Sequence, residues 1–335
     1  MKGQTKTLAA LAVILAVCLG AYLALRSWNQ AQEAVDDTVY LVELADVTAL
    51  SFTGTDGSDL SFTKADGAWT WDGDAAFPAD QDALDALAED AGTLAAVRVF
   101  DEPDSLDAYG LDEPAYTVTV TGESGSATIL IGDPVESNYY AMLEGSERVA
   151  TISSALVTGL SVGLMDLAEP EQIPDVTEDT LASIRWQSGG SGLLLEKETL
   201  TEDVTDEESG ETTTETTYRW TVNGTEIPED NEALDTLLSE ITYLYFSACY
   251  DYAADAETRS ACGLDEPMVL TYTDEEGSET TLSIGAQDES GAYYYASLND
   301  SGAIQLLSNS AVEVFTALTE ETLTAASEAD GESGS

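Results

Sequence analysis

Tyr109-Gly-Leu-Asp-Glu-Pro114 leads into Ala115-Tyr-Thr-Val-Thr-Val-Thr121, and the same opening returns as Cys262-Gly-Leu-Asp-Glu-Pro267 ahead of Met268-Val-Leu-Thr-Tyr-Thr273. In the first copy Tyr116, Val118 and Val120 alternate with three Thr. Strand side chains point to opposite faces with period two, so this stretch predicts a strand with one face in a core. The residues ahead of it read as a turn. Gly110 and Gly263 tolerate positive φ, and Pro114 and Pro267 fix the entry to the next strand. Tyr109, Gly110, Leu111 and Pro114, with Gly263, Leu264 and Pro267, are therefore read as structural turn residues rather than as a binding loop.

Other blocks repeat around this one. Ile129-Leu-Ile-Gly132 returns as Leu282-Ser-Ile-Gly285 at the same offset of 153, and Asn138-Tyr-Tyr-Ala141 as Tyr293-Tyr-Tyr-Ala296. Upstream, Trp69-Thr-Trp-Asp-Gly73 matches Trp220-Thr-Val-Asn-Gly224. Pro78-Ala-Asp-Gln-Asp-Ala-Leu-Asp-Ala-Leu87 matches Pro228-Glu-Asp-Asn-Glu-Ala-Leu-Asp-Thr-Leu237 at an offset of 150. Five blocks in one order mean a duplication. Its period is too long for a solenoid, so two similar domains stand in tandem.

Within one unit, Thr48–Thr53, Leu60–Lys64 and Ala68–Trp71 read as strands. Pro78-Ala-Asp opens a helix whose buried stripe is Leu84, Leu87, Ala88 and Ala91, with Gly92 as its cap. A meander follows over Ala127–Ile131, Asn138–Leu143 and Arg148–Ile152, then a short helix to Leu160. The second half predicts a helix near Asn231–Tyr243 and strands at Met268–Thr273, Thr280–Ile284, Tyr293–Leu298 and Ala303–Leu307. Val47–Phe52 aligns with Leu181–Trp186. The fold class is α+β, each domain a mainly antiparallel sheet with one or two packed helices. The boundaries are 40–167 and 181–322, joined by a linker at 168–180 with breakers Pro170 and Pro174. The insertion 198–217 is acidic and Thr-rich and reads as an exposed hairpin tip or flexible loop. Residues 323–335 are expected to be a disordered tail.

Leu8–Leu25 comprises 18 residues without charge, preceded by Lys2 and Lys6. As a helix it would span about 27 Å, close to a bilayer's hydrocarbon core of roughly 30 Å. Residues 1–30 therefore read as a cytoplasmic N-terminus and a transmembrane signal anchor, with everything beyond it outside the cytoplasm. The whole chain carries 65 Asp and Glu against 10 Lys and Arg and no His. From residue 31 on, 7 basic residues face all 65 acids, a net −58. Such a body repels phosphate backbones, which makes nucleic acid an unsuitable partner.

The Gly-x-Trp block, the Pro-Ala-Asp helix opening, Tyr109-Gly-Leu-Asp-Glu-Pro114, Ile131-Gly132 and the Tyr-Tyr-Ala strand, behind an N-terminal anchor, resemble the bacterial domain of unknown function 4340 (DUF4340). The likeness covers roughly residues 45–320 in two copies. It implies an envelope protein associated with an ABC-type export system, with a permease or auxiliary subunit as partner. It brings no catalytic residues. Cys262 departs from the pattern, standing where the first copy has Tyr109.

Chemistry-bearing residues are few. Without His, the Ser-His-Asp and Cys-His arrangements are excluded, and zinc-ligand spacing is absent. Asp72-Gly-Asp74 and Asp56-Gly-Ser-Asp59 resemble pieces of calcium loops but lack the full ligand series. Cys249 and Cys262 admit two readings. One is a disulfide contributing about 3 kcal/mol by loop closure; the other is two free buried thiols. No catalytic residue, cofactor or metal is expected. Three functions compete: a non-enzymatic binding or accessory module, a carboxylate-dependent hydrolase or glycan binder, and a passive surface spacer.

Overall fold

The computed structural model describes residues 38–100, 102–205 and 212–325. The expected anchor at Leu8–Leu25, the tip of the insertion and the tail from residue 326 lie outside them. Among the described residues, no helix is long and apolar enough to cross a membrane.

Two antiparallel sheets carry the duplication. The first uses β2 (Val47–Thr53), β3 (Asp59–Ala65), β4 (Ala68–Trp71), β6 (Arg98–Phe100), β7 (Tyr116–Gly122), β8 (Gly125–Val135), β9 (Asn138–Leu143) and β10 (Val149–Ser153). Their order is β4-β3-β2-β7-β8-β9-β10-β6. The second uses β11 (Leu181–Ser188), β12 (Ser191–Thr205), β13 (Thr212–Val222), β14 (Thr225–Glu226), β15 (Ala248–Asp251), β16 (Met268–Asp274), β17 (Glu279–Gln287), β18 (Tyr293–Leu298) and β19 (Ile304–Ser308). Its order is β14-β13-β12-β11-β16-β17-β18-β19-β15. Apart from β14, the two orders correspond strand for strand. A small separate ladder joins β1 (Val39–Tyr40) to β5 (Ala95–Ala96). By density of contacts the chain divides into two compact units. One is the segment up to Val47 with Glu89–Leu156, the other Thr48–Ala88 with the segment from Val157 onward.

The period-two stretch behaves as its pattern requires. Val118 and Val120 are buried, and Thr119 on the other face shares a hydroxyl hydrogen bond of 3.0 Å with Thr128 across the β7–β8 ladder. Helix α1 (Gln81–Gly92) begins where Pro78-Ala-Asp predicts, because the Asp80 carboxylate accepts the Ala83 N–H at 3.0 Å as an N-cap. Leu84, Leu87, Ala88 and Ala91 are its buried face. Gly92 is the last residue of the helix rather than a left-handed cap beyond it. A Cβ there would stand 2.6 Å from Val47 Cγ2.

In the second half, Asn231 caps α3 (Glu232–Thr242), accepting the Leu234 N–H at 2.9 Å. Leu234, Leu237, Leu238 and Ile241 then enter a core shared with Trp186, Leu195, Val222, Leu270, Leu282 and Phe315. Three further helices follow: α4 (Ala256–Ala261), α5 (Asn309–Thr316) and α6 (Glu320–Thr324), more than the one or two expected. They are short, so sequence periodicity signals them weakly. Helix α2 (Ser154–Leu160) lies where it was expected.

The insertion is neither a loop nor only a tip. β12 and β13 pair without a break from Leu195↔Val222 to Thr205↔Thr212, so much of 198–217 is a long antiparallel hairpin. Thr is β-branched and favours strands. A ladder already anchored in the sheet is extended at one bond per residue pair, without a core of its own. The linker is also partly ordered by pairing: Ala168 bridges Ala79, and the Glu169 N–H donates to Pro78 O at 2.7 Å.

Candidate functional sites

The signature turns are packing devices. Leu106–Tyr109 forms a 3-10 turn that Gly110 ends at φ 66°, and the Leu111 N–H closes it by donating to Leu106 O at 3.0 Å. In the second copy Gly263 has φ 75°, and the Leu264 N–H donates to Arg259 O at 3.0 Å. Each turn rests on the strand carrying the Ile-Gly block. A Cβ on Gly132 would lie 2.1 Å from Tyr109 O, and one on Gly285 2.1 Å from Cys262 O. The strands are bulged at those glycines, with register shifts between Ile131 and Pro134 and between Ile284 and Gln287. In the second copy the bulge turns the Ala286 N–H onto Cys262 O at 2.8 Å. The two sequence blocks therefore occur together because one backbone lies directly on the other.

The Tyr109/Cys262 difference has a packing account. Tyr109 stacks edge-on to Tyr140 at 4.8 Å and tilted to Phe100 at 6.0 Å, in a cluster with Leu111, Met142 and Val149. Its hydroxyl accepts the Asp104 N–H at 3.1 Å. At the equivalent place, Tyr250 and Tyr295 pair at 4.7 Å while Cys262 packs with Leu264 and Ile304. A smaller thiol replaces the third ring.

Cys249 and Cys262 are free and buried, which is the second of the two readings. Burial first, then the nearby charges of Asp251 and Glu171, pushes the Cys249 thiol up to about 11. Burial and Asp251 also raise Cys262. Thiols held protonated in this way are poor nucleophiles. Desolvation, then the neighbouring Tyr250, likewise pushes Tyr295 up to about 12.

The aspartates of the calcium-like fragments serve their own loops. Asp56 accepts from the Ser58 N–H and hydroxyl at 2.9 and 2.6 Å, and these bonds lower its pKa. Asp74 accepts from the Ala76 N–H and the Tyr252 hydroxyl, both at 2.9 Å. Among the described residues, no group of three or more Cys, Asp or Glu is placed to hold a metal ion.

Cavities lined by the described residues include two with room for a small ligand. One of about 330 Å³ lies between Trp186, Ser188, Leu193, Leu318, Thr319 and Glu320. The other, about 200 Å³, is lined by Asp90, Leu94, Ala96, Val97 and Leu156. Glu320 is the one carboxylate of the first, and it accepts from Asn223 Nδ2 at 3.2 Å. Asp90 is the one carboxylate of the second, its pKa raised by burial and then by Glu89. Glycoside hydrolysis needs a carboxyl group on each side of the scissile bond, and neither cavity offers the pair.

A different surface stands out. Tyr243 and Tyr245 are 77 % and 69 % exposed, while Leu244 and Phe246 between and after them are buried. The helix expected near Asn231–Tyr243 ends at Thr242, and the alternation from Tyr243 to Phe246 is a period-two signal.

Fold and turns together define a tandem α+β protein whose repeated motifs build two similar sheets. The family model described as "Domain of unknown function (DUF4340)" matches residues 69–219 and 220–324, and the chain belongs to that family in two adjacent copies. Both matches begin at the Trp block, at Trp69 and Trp220, in agreement with the repeat alignment. A search of curated proteins and one of solved structures found no match.

Proposed function

We propose that this chain is a membrane-anchored, extracytoplasmic binding module, a non-enzymatic component working beside an ABC-type transport system. The observation that carries the binding reading is the exposure of Tyr243 and Tyr245 on an otherwise strongly acidic chain. Tyrosine is enriched among the residues that dominate protein interfaces, because it offers a large rigid surface with a polar tip. The single carboxylate in each cavity and the protonated thiols also favour binding over hydrolysis. Placement outside the cytoplasm rests on the uncharged run Leu8–Leu25 behind Lys2 and Lys6. The transporter association rests on the family resemblance.

The test is to crosslink the tagged full-length protein in its native membrane and identify what is recovered. A permease or auxiliary subunit of an ABC system is the expected product. Failure to recover any stable protein partner would sink this reading and bring glycan binding or hydrolysis forward.

A further inference from the structure

The internal duplication supplies a template for what binds at Tyr243–Phe246. In the first copy, the segment after helix α1 is covered by a strand: Val39 pairs with Ala96 and Tyr40 with Ala95. The N–H groups of Leu41 and Val42 both donate to Leu94 O, at 2.7 and 3.3 Å, and Leu44 donates to Gly92 O at 2.8 Å. At an offset of 150, Leu94, Ala95 and Ala96 correspond to Leu244, Tyr245 and Phe246. The next bond in each copy is also equivalent: Val97 N–H to Thr151 O at 2.7 Å, and Ser247 N–H to Leu306 O at 2.8 Å. The second copy thus presents the same backbone in the same place.

It has no covering strand. Among the described residues nothing pairs with Tyr245–Phe246, and Leu244 O receives no backbone N–H. The cause is in the sequence. At the offset of 134 that aligns Val47 with Leu181, Val39 and Tyr40 become Ile173 and Pro174. Because Leu41 donates to Leu94 O and ladder donors alternate, the Tyr40 N–H points away from this ladder; what Pro174 changes is its own fixed φ and the restricted backbone of the residue before it. Val176, the counterpart of Val42, keeps its buried place, but the strand ahead of it is lost. An edge with free backbone groups and two outward tyrosines remains, and natural sheets seldom leave such an edge bare.

We propose that this edge receives, by β-strand addition, an extended segment of a partner protein with a short run of apolar side chains and Lys or Arg at its flanks. The apolar run follows from the strand Val39–Tyr40 and the Leu41-Val42 that continues it in the first copy. The basic flanks follow from charge. No Lys or Arg occurs between Arg219 and Arg259, and the chain carries a net −55. A second copy of this chain carries the same charge and is repelled. The inference rests on the binding reading above and names its surface and partner chemistry.

The probe is a labelled peptide of Thr38–Leu44 with two lysines at each end, titrated into the full-length protein and read by fluorescence anisotropy and hydrogen exchange. Saturable binding is expected, with amide protection gained at 243–247. At least about tenfold weaker binding is expected with glutamate flanks, with a scrambled peptide, and in the Tyr243→Ser, Tyr245→Ser double variant, which keeps the wild-type melting curve. The proposal is overturned by any of four results: no saturation, protection at 92–97 instead, equal binding of the glutamate-flanked peptide, or a dimer formed through the tyrosines. If the crosslinked native partner is retained in the Tyr243→Ser, Tyr245→Ser variant, binding occurs elsewhere; this proposal then falls while the binding reading stands.

Discussion

Replacing Asn231 tests how the end of the chain is held. Asn231 is 3 % exposed and uses both ends of its amide. Oδ1 accepts the Leu234 N–H at 2.9 Å and caps helix α3. Nδ2 is placed toward three carbonyls of the C-terminal segment, Thr322 O at 2.9 Å, Leu323 O at 3.1 Å and Ala325 O at 3.0 Å. In Asn231→Ala the lost cap costs about 1 kcal/mol. A buried carbonyl left without a partner adds about 1–3 kcal/mol. The total of about 2–4 kcal/mol corresponds to roughly 4–16 °C in a unit of this size. Asn231→Asp keeps the cap but points a carboxylate at three carbonyls, so it is expected to be worse at neutral pH. The carboxyl's folded pKa would be raised by those oxygens. Its penalty is therefore absent below the ordinary carboxylate pKa and grows as pH rises through the folded value. The assay is thermal unfolding by circular dichroism at pH 4 and 7, with hydrogen exchange at 320–325. If Asn231→Ala melted within about 2 °C of wild type, the clamp as reasoned here would be wrong.

Three further outcomes are expected. Gly132→Ala and Gly285→Ala each force a Cβ to 2.1 Å from a backbone carbonyl. Each should cost about 1–3 kcal/mol or more as an overpacked site, measured by urea midpoint, whereas Gly192→Ala meets only ordinary contacts beyond 3.4 Å and should be mild. Cys249 should resist iodoacetamide at pH 8 in the folded protein and react once unfolded. Because its folded pKa of about 11 lies above the ordinary 9.0, its stabilising contribution is full below pH 9 and is lost as pH rises through 11; a flat stability curve over that range would refute this. Lys197, its side chain 6 % exposed, donates to Glu178 O at 3.1 Å and Asp179 O at 2.6 Å. Lys197→Met should destabilise by about 0.5–1.5 kcal/mol from the lost hydrogen bonds, and an unchanged melting curve would count against them.

The chain by itself determined the duplication, the alternating strands after each Pro, the α1 stripe and the turn role of Gly110 and Gly263. These are local: periodicity, proline and positive φ act within a few residues and leave a direct trace in the order of side chains. Tertiary structure decided the rest. The Ile-Gly block is explained only when Gly132 is seen beneath Tyr109 O, some twenty residues away in the chain. Cys249 and Cys262, 13 positions apart, permitted a bridge, and it is the fold that holds them as two free, buried thiols. The Thr-rich insertion reads as a hairpin tip or a flexible loop by its polarity, and it pairs as a long hairpin because an anchored ladder supplies the backbone partners that its composition does not reveal. Likewise Pro174 is an ordinary linker breaker in the sequence. Only the spatial match of Leu94 with Leu244 shows that the segment carrying Pro174 leaves an edge open in another segment, because strand pairing joins residues distant in the chain.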